Sequence, residues 1–421
     1  MTNLREPSSY QPRLVDTRLA QLLREFPAIA LSGPRAVGKT TTALRHANDI
    51  ARLDVPAQAA AFRLDPDAAL RGRGEPLVLD EWQEVPEVLG AVKRAVDDDH
   101  RPGRFILTGS VRAELTQATW PGTGRLVRVQ MFGLTEREVR GNVGSDRPGF
   151  VDRLATADPD QLAGADRETS IPDYVELALR SGFPEIATSP LADEDRAAWL
   201  DGYLGQLLTR DAHALDPRRD VQRMRRYFEV LALNTAGTPS EASLFDAAGI
   251  NARTAAAYDH LFENLFVTER VPAWTTNRLS RVSVTPKRYL LDPALAAAAG
   301  RFTASAVLRD GNLLGRMVDT FALAQLRPEV AIPGSRRRAH YLRTRGGRQE
   351  IDLIVELGDG LVLALECKAG AAPSTRDARH LVWLREQLGD RFVAGAVLHT
   401  GPDVFVLGDR IFAVPLSAMW A

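Results

Sequence analysis

The sequence predicts an α/β protein in three parts: a doubly wound parallel sheet, a helical middle region and a second α/β domain. Three observations predict it. Short, continuous apolar runs alternate with helical stretches over 1–140. Helical patterns then dominate 171–305, and strand patterns with one helix between them return over 306–421. A chain of 421 residues exceeds what a single hydrophobic core supports, so two or three domains are expected.

In the first part, 27–32, 77–80 and 105–108 are the apolar runs. Runs of this length suit parallel strands covered on both faces. Helical stretches at 39–48 and 86–97 lie between them, and a repeated strand–loop–helix pattern predicts a doubly wound sheet. Residues 141–170 are rich in Gly, Asp, Pro and Ser and read as a linker or insertion. Helices are expected at 174–180 and 193–213, then a tri-helical unit at 222–236, 240–248 and 251–265. A hairpin over 266–291 follows, carrying Arg270, Arg278, Arg281, Lys287 and Arg288. Three helices and a basic hairpin outline a winged helix. In the last part a helix at 311–326 precedes strands at 338–344, 350–356, 361–367 and 393–399, with a helix at 376–388.

Composition narrows the setting. The formal net charge is −1, so no global field draws the chain to nucleic acid or an anionic membrane, and any basic surface must be local. Cys367 stands alone, which excludes an intramolecular disulfide. No apolar run approaches a membrane span and the first residues lack a signal-peptide core, so a cytoplasmic protein is expected. Of the cations only Lys39, Lys93, Lys287 and Lys368 are lysines. Where lysine survives such an arginine bias, a compact ammonium is worth looking for.

Gly33-Pro34-Arg35-Ala36-Val37-Gly38-Lys39-Thr40, followed by Thr41, fits G-x-x-x-x-G-K-[ST] between a strand and a helix. Glycines let the backbone N–H groups curl around phosphates, and the helix end adds its positive dipole. Lys39 is expected to reach the β- and γ-phosphates of ATP, and the Thr40 hydroxyl to hold Mg²⁺. Asp80, ending an apolar strand, is expected to hold the same Mg²⁺. Glu81 should orient or deprotonate the attacking water, which favours ATP hydrolysis over a GTP switch. Thr108 or Ser110, at the end of the next strand, is a candidate sensor of the γ-phosphate. Arg125 is a candidate charge-stabilising arginine, in cis or from a neighbouring subunit.

These stretches resemble the bacterial and archaeal AAA-type P-loop ATPases with a C-terminal domain of unknown function. The matching residues are Ser32-Gly33-Pro34-Arg35 with Gly38-Lys39-Thr40, Leu79-Asp80-Glu81-Trp82-Gln83 with Pro86, and Leu107-Thr108-Gly109-Ser110. Gly182-Phe183-Pro184-Glu185, Arg210-Asp211 and Pro415-Leu416-Ser417 extend the likeness along nearly the whole chain. The resemblance implies a P-loop NTPase fold in the first part and ATPase activity.

Asp352 and, fourteen residues on, Glu366-Cys367-Lys368 form a D…E-x-K pattern on neighbouring strands. Alternation sets Glu366 and Lys368 on one face and Cys367 on the other, toward the core. That is the arrangement of restriction-endonuclease-like nucleases, in which carboxylates hold a divalent metal (Mg²⁺ or Mn²⁺) and a lysine steers hydroxide at a phosphodiester. Relatives carry an acidic residue in the opening helix; here the equivalent stretch is Leu313-Leu314-Gly315-Arg316, and Glu350 stands on the same face as Asp352. A binding role without cleavage is therefore the alternative. Arg336, Arg337 and Arg338, after Ser335, with Arg343, Arg345 and Arg348, form a basic segment beside this pattern. They, the hairpin cations, and Arg253 and Tyr258 of the third middle helix are candidates for contacting DNA or RNA.

Three readings follow. The chain is an ATPase that couples nucleotide state to nucleic-acid binding, an ATP-dependent regulatory, toxin–antitoxin or defence switch that binds a protein partner, or a metal-dependent nuclease controlled by ATP. A homo-oligomer would suit an AAA-type domain.

Overall fold

The computed structural model describes residues 10–110, 124–144, 146–165, 169–212, 220–276 and 285–421. They form two compact units, the first spanning 1–132 with 264–266 and the second 133–263 with 267–421. The middle and C-terminal parts, expected as separate domains, thus share one unit.

The first unit is a five-stranded sheet in the order β2-β3-β4-β1-β5: β1 (Ala28–Ser32), β2 (Asp49–Arg52), β3 (Leu77–Asp80), β4 (Phe105–Gly109) and β5 (Leu126–Gln130). Every pairing is parallel. Its helices are α1 (Asp16–Glu25), α2 (Lys39–Leu44), α3 (Pro56–Leu64), α4 (Pro66–Leu70) and α5 (Val88–Asp98). In α5 the residues Val88, Leu89, Val92 and Val96 recur at helical spacing and are buried with Leu79 and Leu107 of the sheet. Each such side chain contributes about 1.5–3 kcal/mol relative to exposure. Parallel pairing brings the carboxyl ends of β1, β3 and β4 to one edge, where an open α/β sheet binds ligand.

The second unit begins with α6 (Glu136–Val139), α7 (Phe150–Ala155), α8 (Ile171–Arg180), α9 (Pro184–Ala187) and α10 (Asp193–Gln206). Next come α11 (Val221–Leu233), α12 (Glu241–Ala248) and α13 (Ala252–Asn264), then a two-stranded antiparallel ribbon of β6 (Thr268–Val271) and β7 (Lys287–Leu290). Helices α14 (Pro293–Gly300) and α15 (Ala304–Arg309), which the sequence patterns do not announce, lead into the long α16 (Gly311–Val330). A mixed sheet completes it, ordered β12-β13-β11-β10-β9-β8: β8 (Arg338–Arg343), β9 (Glu350–Gly358), β10 (Leu361–Cys367), β11 (Phe392–His399), β12 (Phe405–Gly408) and β13 (Ile411–Pro415). Helix α17 (Arg379–Leu388) supplies Leu381 and Leu384 to the core on one face, while α16 supplies Val318, Phe321 and Leu326 on the other.

The stretch 141–170, read as a linker, contains α7, whose Phe150, Val151 and Leu154 are buried beside Trp420 in the second unit's core. Low apolar density hid it, because only one short face of it is apolar. The buried Glu329 carboxylate receives the N–H groups of Phe150 and Val151 and pairs with Arg137 at 3.1 Å. Anchoring by a charge 179 residues away leaves no local pattern in the sequence.

Candidate functional site

The loop after β1 turns on three backbone conformations. A Cβ at Gly33 would lie 2.3 Å from the Met131 carbonyl oxygen, so only glycine admits this close approach. Ala36 and Gly38 both have positive φ, 62° and 91°, in the left-handed region that favours glycine. Helix α2 starts at Lys39, directly after Gly38. Arg13 braces the loop, donating to the Val37 carbonyl at 2.8 Å and to the Phe132 carbonyl at 2.6 Å.

Lys39 is 5% exposed, and its Nζ donates to the carbonyls of Gly33 (3.1 Å) and Pro34 (2.7 Å). Burial lowers its pKa to about 8, against the upward pull of the Glu81 and Asp80 charges. These are neutral carbonyl partners, which a phosphate outcompetes as a charge-assisted acceptor.

Asp80 and Thr108 face each other in register across β3 and β4, and Thr108 is level with Leu31 of β1. The Asp80 Oδ1 accepts from the Thr40 hydroxyl at 2.7 Å and from the Thr108 hydroxyl at 2.5 Å. Burial raises the Asp80 pKa while both hydroxyls oppose it. Thr40 and Asp80 thus present adjacent oxygens, the donor type that Mg²⁺ takes, and the donor set fits that ion. Thr108 departs from the expected sensor role: its hydroxyl is spent on Asp80. Ser110 instead donates to Glu81 Oε2 at 3.3 Å.

Glu81 has φ 52°, a strained conformation for a residue with a Cβ. Its carboxylate is held by the Gln83 amide as well as by Ser110. Gln83 was part of the matching stretch Leu79–Gln83, but nothing in its type announced this role.

Arg125 sits elsewhere. Strand β5 runs parallel to β1, with Leu126 opposite Ala28 and Gln130 opposite Ser32. The phosphate loop follows Ser32, so Arg125 lies at the opposite end of the sheet and does not serve the loop in cis. It pairs with Asp97 at 2.5 Å. Residues 111–123, which precede it, lie outside the described residues.

In the second unit Asp352, Glu366 and Lys368 do come together. Asp352 Oδ2 accepts from the Cys367 N–H at 3.0 Å, and Lys368 Nζ donates to Glu366 Oε2 at 3.1 Å. Two further residues join them. The Lys287 ammonium lies 2.9 Å from Asp352 Oδ1 and 2.5 Å from Asp319 Oδ2, and Tyr289 donates to Asp319 Oδ1 at 3.0 Å. The opening helix therefore carries a buried carboxylate after all, at Asp319, one turn beyond the Gly315 where it was sought. Glu350 points to Arg343, 3.8 Å away, and is a half-exposed surface group. Among the described residues, no group of three or more His, Cys, Asp or Glu is arranged to hold a metal ion.

The basic candidates separate as well. Arg270 pairs with Glu263 and Asp259, and Arg288 is buried against Asp259 and Glu241. Lys287 and Arg288 are thus buried and paired, and Arg270, a third exposed, is paired with two carboxylates. Arg278 and Arg281 lie outside the described residues. Tyr258 is 1% exposed, packed between Tyr227 and Phe262, so it is core rather than reading surface. Its apolar neighbours at helical spacing carried that signal. Arg253 is exposed, as are Arg336, Arg338, Arg343 and Arg348; Arg337 pairs with Asp152. The side chain of Arg345 lies outside the described set. No helix among the described residues is long and apolar enough to cross a membrane.

Three family models match in succession along the chain. Residues 25–140 match the AAA domain, 171–306 the domain of unknown function DUF8612, and 314–419 the domain of unknown function DUF4143. A Walker-type ATPase of Pyrococcus abyssi is a structural neighbour with a TM-score of 0.41 and 14% identity, over 68% of this chain and 95% of that one; the likeness is too loose to carry an argument. The first unit carries an AAA-type P-loop domain. Uncharacterized proteins of Mycobacterium tuberculosis and Mycobacterium bovis are each 30% identical over 403 residues, 94% of this chain and 82% of theirs. The chain belongs to the family of these mycobacterial proteins.

Proposed function

We propose that the chain binds and hydrolyses ATP at the loop 33–40, and that nucleotide state governs binding of nucleic acid by the second unit. One observation carries the first half: Lys39, Thr40, Asp80 and Glu81 converge at one edge of the parallel sheet, with Thr40 and Asp80 oxygens 2.7 Å apart. In this reading the loop amides 34–39 and Lys39 hold the β- and γ-phosphates, with Thr41 beside them at the start of α2. Thr40 and Asp80 hold Mg²⁺, which when bound would neutralise charge on the phosphate oxygens. Thr108 fixes Asp80. Glu81, positioned by Gln83 and Ser110, takes a proton from the attacking water.

The exposed arginines Arg336, Arg338, Arg343 and Arg348 support the nucleic-acid half. A second reading, that the second unit binds without cleaving and acts as a regulatory module for a protein partner, is favoured by the Lys287 ammonium on Asp352. A metal-dependent nuclease is the less supported alternative for the same reason.

Calorimetry with ATP and Mg²⁺ tests the first half; absence of heat from folded protein would end it. ATP turnover with and without DNA or RNA tests the second, and no stimulation together with no retention on either polymer at moderate salt would refute it.

A further inference from the structure

Gln83 reaches Glu81 because of how the chain turns between them. Glu81 takes a left-handed conformation, φ 52° and ψ 48°, and the 3-10 turn Trp82–Glu84 follows it. The Glu84 N–H closes that turn on the Glu81 carbonyl at 3.0 Å. The turn folds back over the end of β4. A Cβ at Gly109 would lie 2.8 Å from the Trp82 Nε1 and 2.9 Å from the Gln83 Oε1. A bare backbone at 109 is what lets both side chains close on that strand end.

The chemistry of the amide then fixes its orientation. A carboxylate only accepts, so Gln83 gives its Nε2 to Glu81 and turns its Oε1 away. That oxygen is enclosed and meets no hydrogen-bond donor among the described residues. A buried acceptor left bare is costly, and its persistence calls for a reason. The neighbouring hydroxyls are already committed, Thr108 to Asp80 and Ser110 to Glu81. The bare oxygen thus stands beside Glu81 at the carboxyl end of β4, between the strand that leads into the phosphate loop and the strand that ends in Asp80.

We propose that Gln83 is a catalytic residue, whose Oε1 accepts one hydrogen of the attacking water while Glu81 takes the other as a proton. This rests on Glu81 serving as the base, as proposed above. Two acceptors on one water aim its lone pair at the γ-phosphorus, where a single acceptor would leave it free to rotate. In the step, the water oxygen bonds to the γ-phosphorus as its proton passes to Glu81. The bond from that phosphorus to the bridging oxygen breaks, and its electron pair leaves with ADP. The hydrogen held by Gln83 stays on the phosphate that forms.

The test uses the full chain with Mg²⁺ and two complexes of ADP. Beryllium fluoride fills the γ-phosphate position without calling on the attacking water, and aluminium fluoride imitates the transition state with that water in line. Gln83→Met keeps the side chain's length but neither accepts nor donates there. It should leave the KM for ATP and the affinity for ADP–beryllium fluoride within about twofold, and lower kcat and the affinity for ADP–aluminium fluoride by about tenfold or more. In a Glu81→Gln protein, adding Gln83→Met should weaken the aluminium fluoride complex again. No further loss there would show that Gln83 acts only through Glu81, and overturns the proposal. An aluminium fluoride complex unaffected by Gln83→Met overturns it too, as does an equal loss for both complexes. Unsubstituted protein that binds neither complex refutes the ATP site itself, an outcome distinct from the failure of Gln83 alone.

Discussion

The two units each bury a lysine near aspartates, and they satisfy it in opposite ways. Lys39 rests on two carbonyls of its own loop. Lys287 rests on two carboxylates from different elements. Burial lowers the Lys39 pKa to about 8 because neutral partners repay little of the lost hydration. Burial works against Lys287 too, but Asp319 and Asp352 outweigh it and hold its pKa well above the ordinary value. The first lysine is thus weakly tied and ready for an incoming phosphate, and the second is locked as a piece of structure. A lysine beside an aspartate is not by itself a sign of chemistry; its present partners decide.

Five experiments break or sharpen that contrast. Lys287→Ala leaves a buried carboxylate pair without its cation, and a loss of about 3–5 kcal/mol is expected in urea unfolding. Adding Asp319→Asn should recover part of it. A loss no larger than that of a surface substitution would mean the lysine is not a lock. Glu81→Gln should keep ATP affinity and lower kcat by about 10²-fold or more; normal turnover would show that Glu81 is not the base. Thr108→Val removes one of the two hydroxyls on Asp80, and Mg²⁺-dependent turnover should fall by about tenfold. No change would return Thr108 to mere loop polarity.

The weak tie of Lys39 has a pH signature. In the free protein its ammonium loses its proton as pH rises through about 8. Phosphates restore a normal or higher pKa, so ATP binding near pH 8 should take up about half a proton per site. Calorimetry in two buffers of different ionisation enthalpy measures it, and proton release instead of uptake would reverse the assignment. The smallest effect is expected from Arg125→Ala. Its pair with Asp97 is partly exposed, so stability should change by less than about 1 kcal/mol. Turnover should be unaffected at low and at high protein concentration; a drop seen only at high concentration would place Arg125 at a neighbouring copy's site.

The first site was legible because its parts are local. A strand, a glycine loop and a helix must follow one another within a few residues, and Asp80 must end a strand. Only the fold could add that β4 lies between β1 and β3, which gives Thr108 to Asp80 and Ser110 to Glu81. The second cluster was half legible. Asp352 and Glu366 sit on adjacent strands, with Lys368 just past the end of the second, but Lys287 reaches Asp352 across 65 residues. The scarcity of lysine was the available signal, and the hairpin's other cations masked it. Asp319 was hidden among the apolar neighbours of α16, a turn away from where a carboxylate was sought.

Gly149 opens α7 with no side chain of its own. A Cβ there would lie 2.6 Å from a Glu329 carboxylate oxygen. The smallest residue in the stretch thus makes room for the anion that clamps it. Anyone choosing a place to sever this chain into separately expressed halves would be drawn to that glycine- and proline-rich run. The scissors would fall on a seam closed from the inside, and the fragment beyond it would lose a wall.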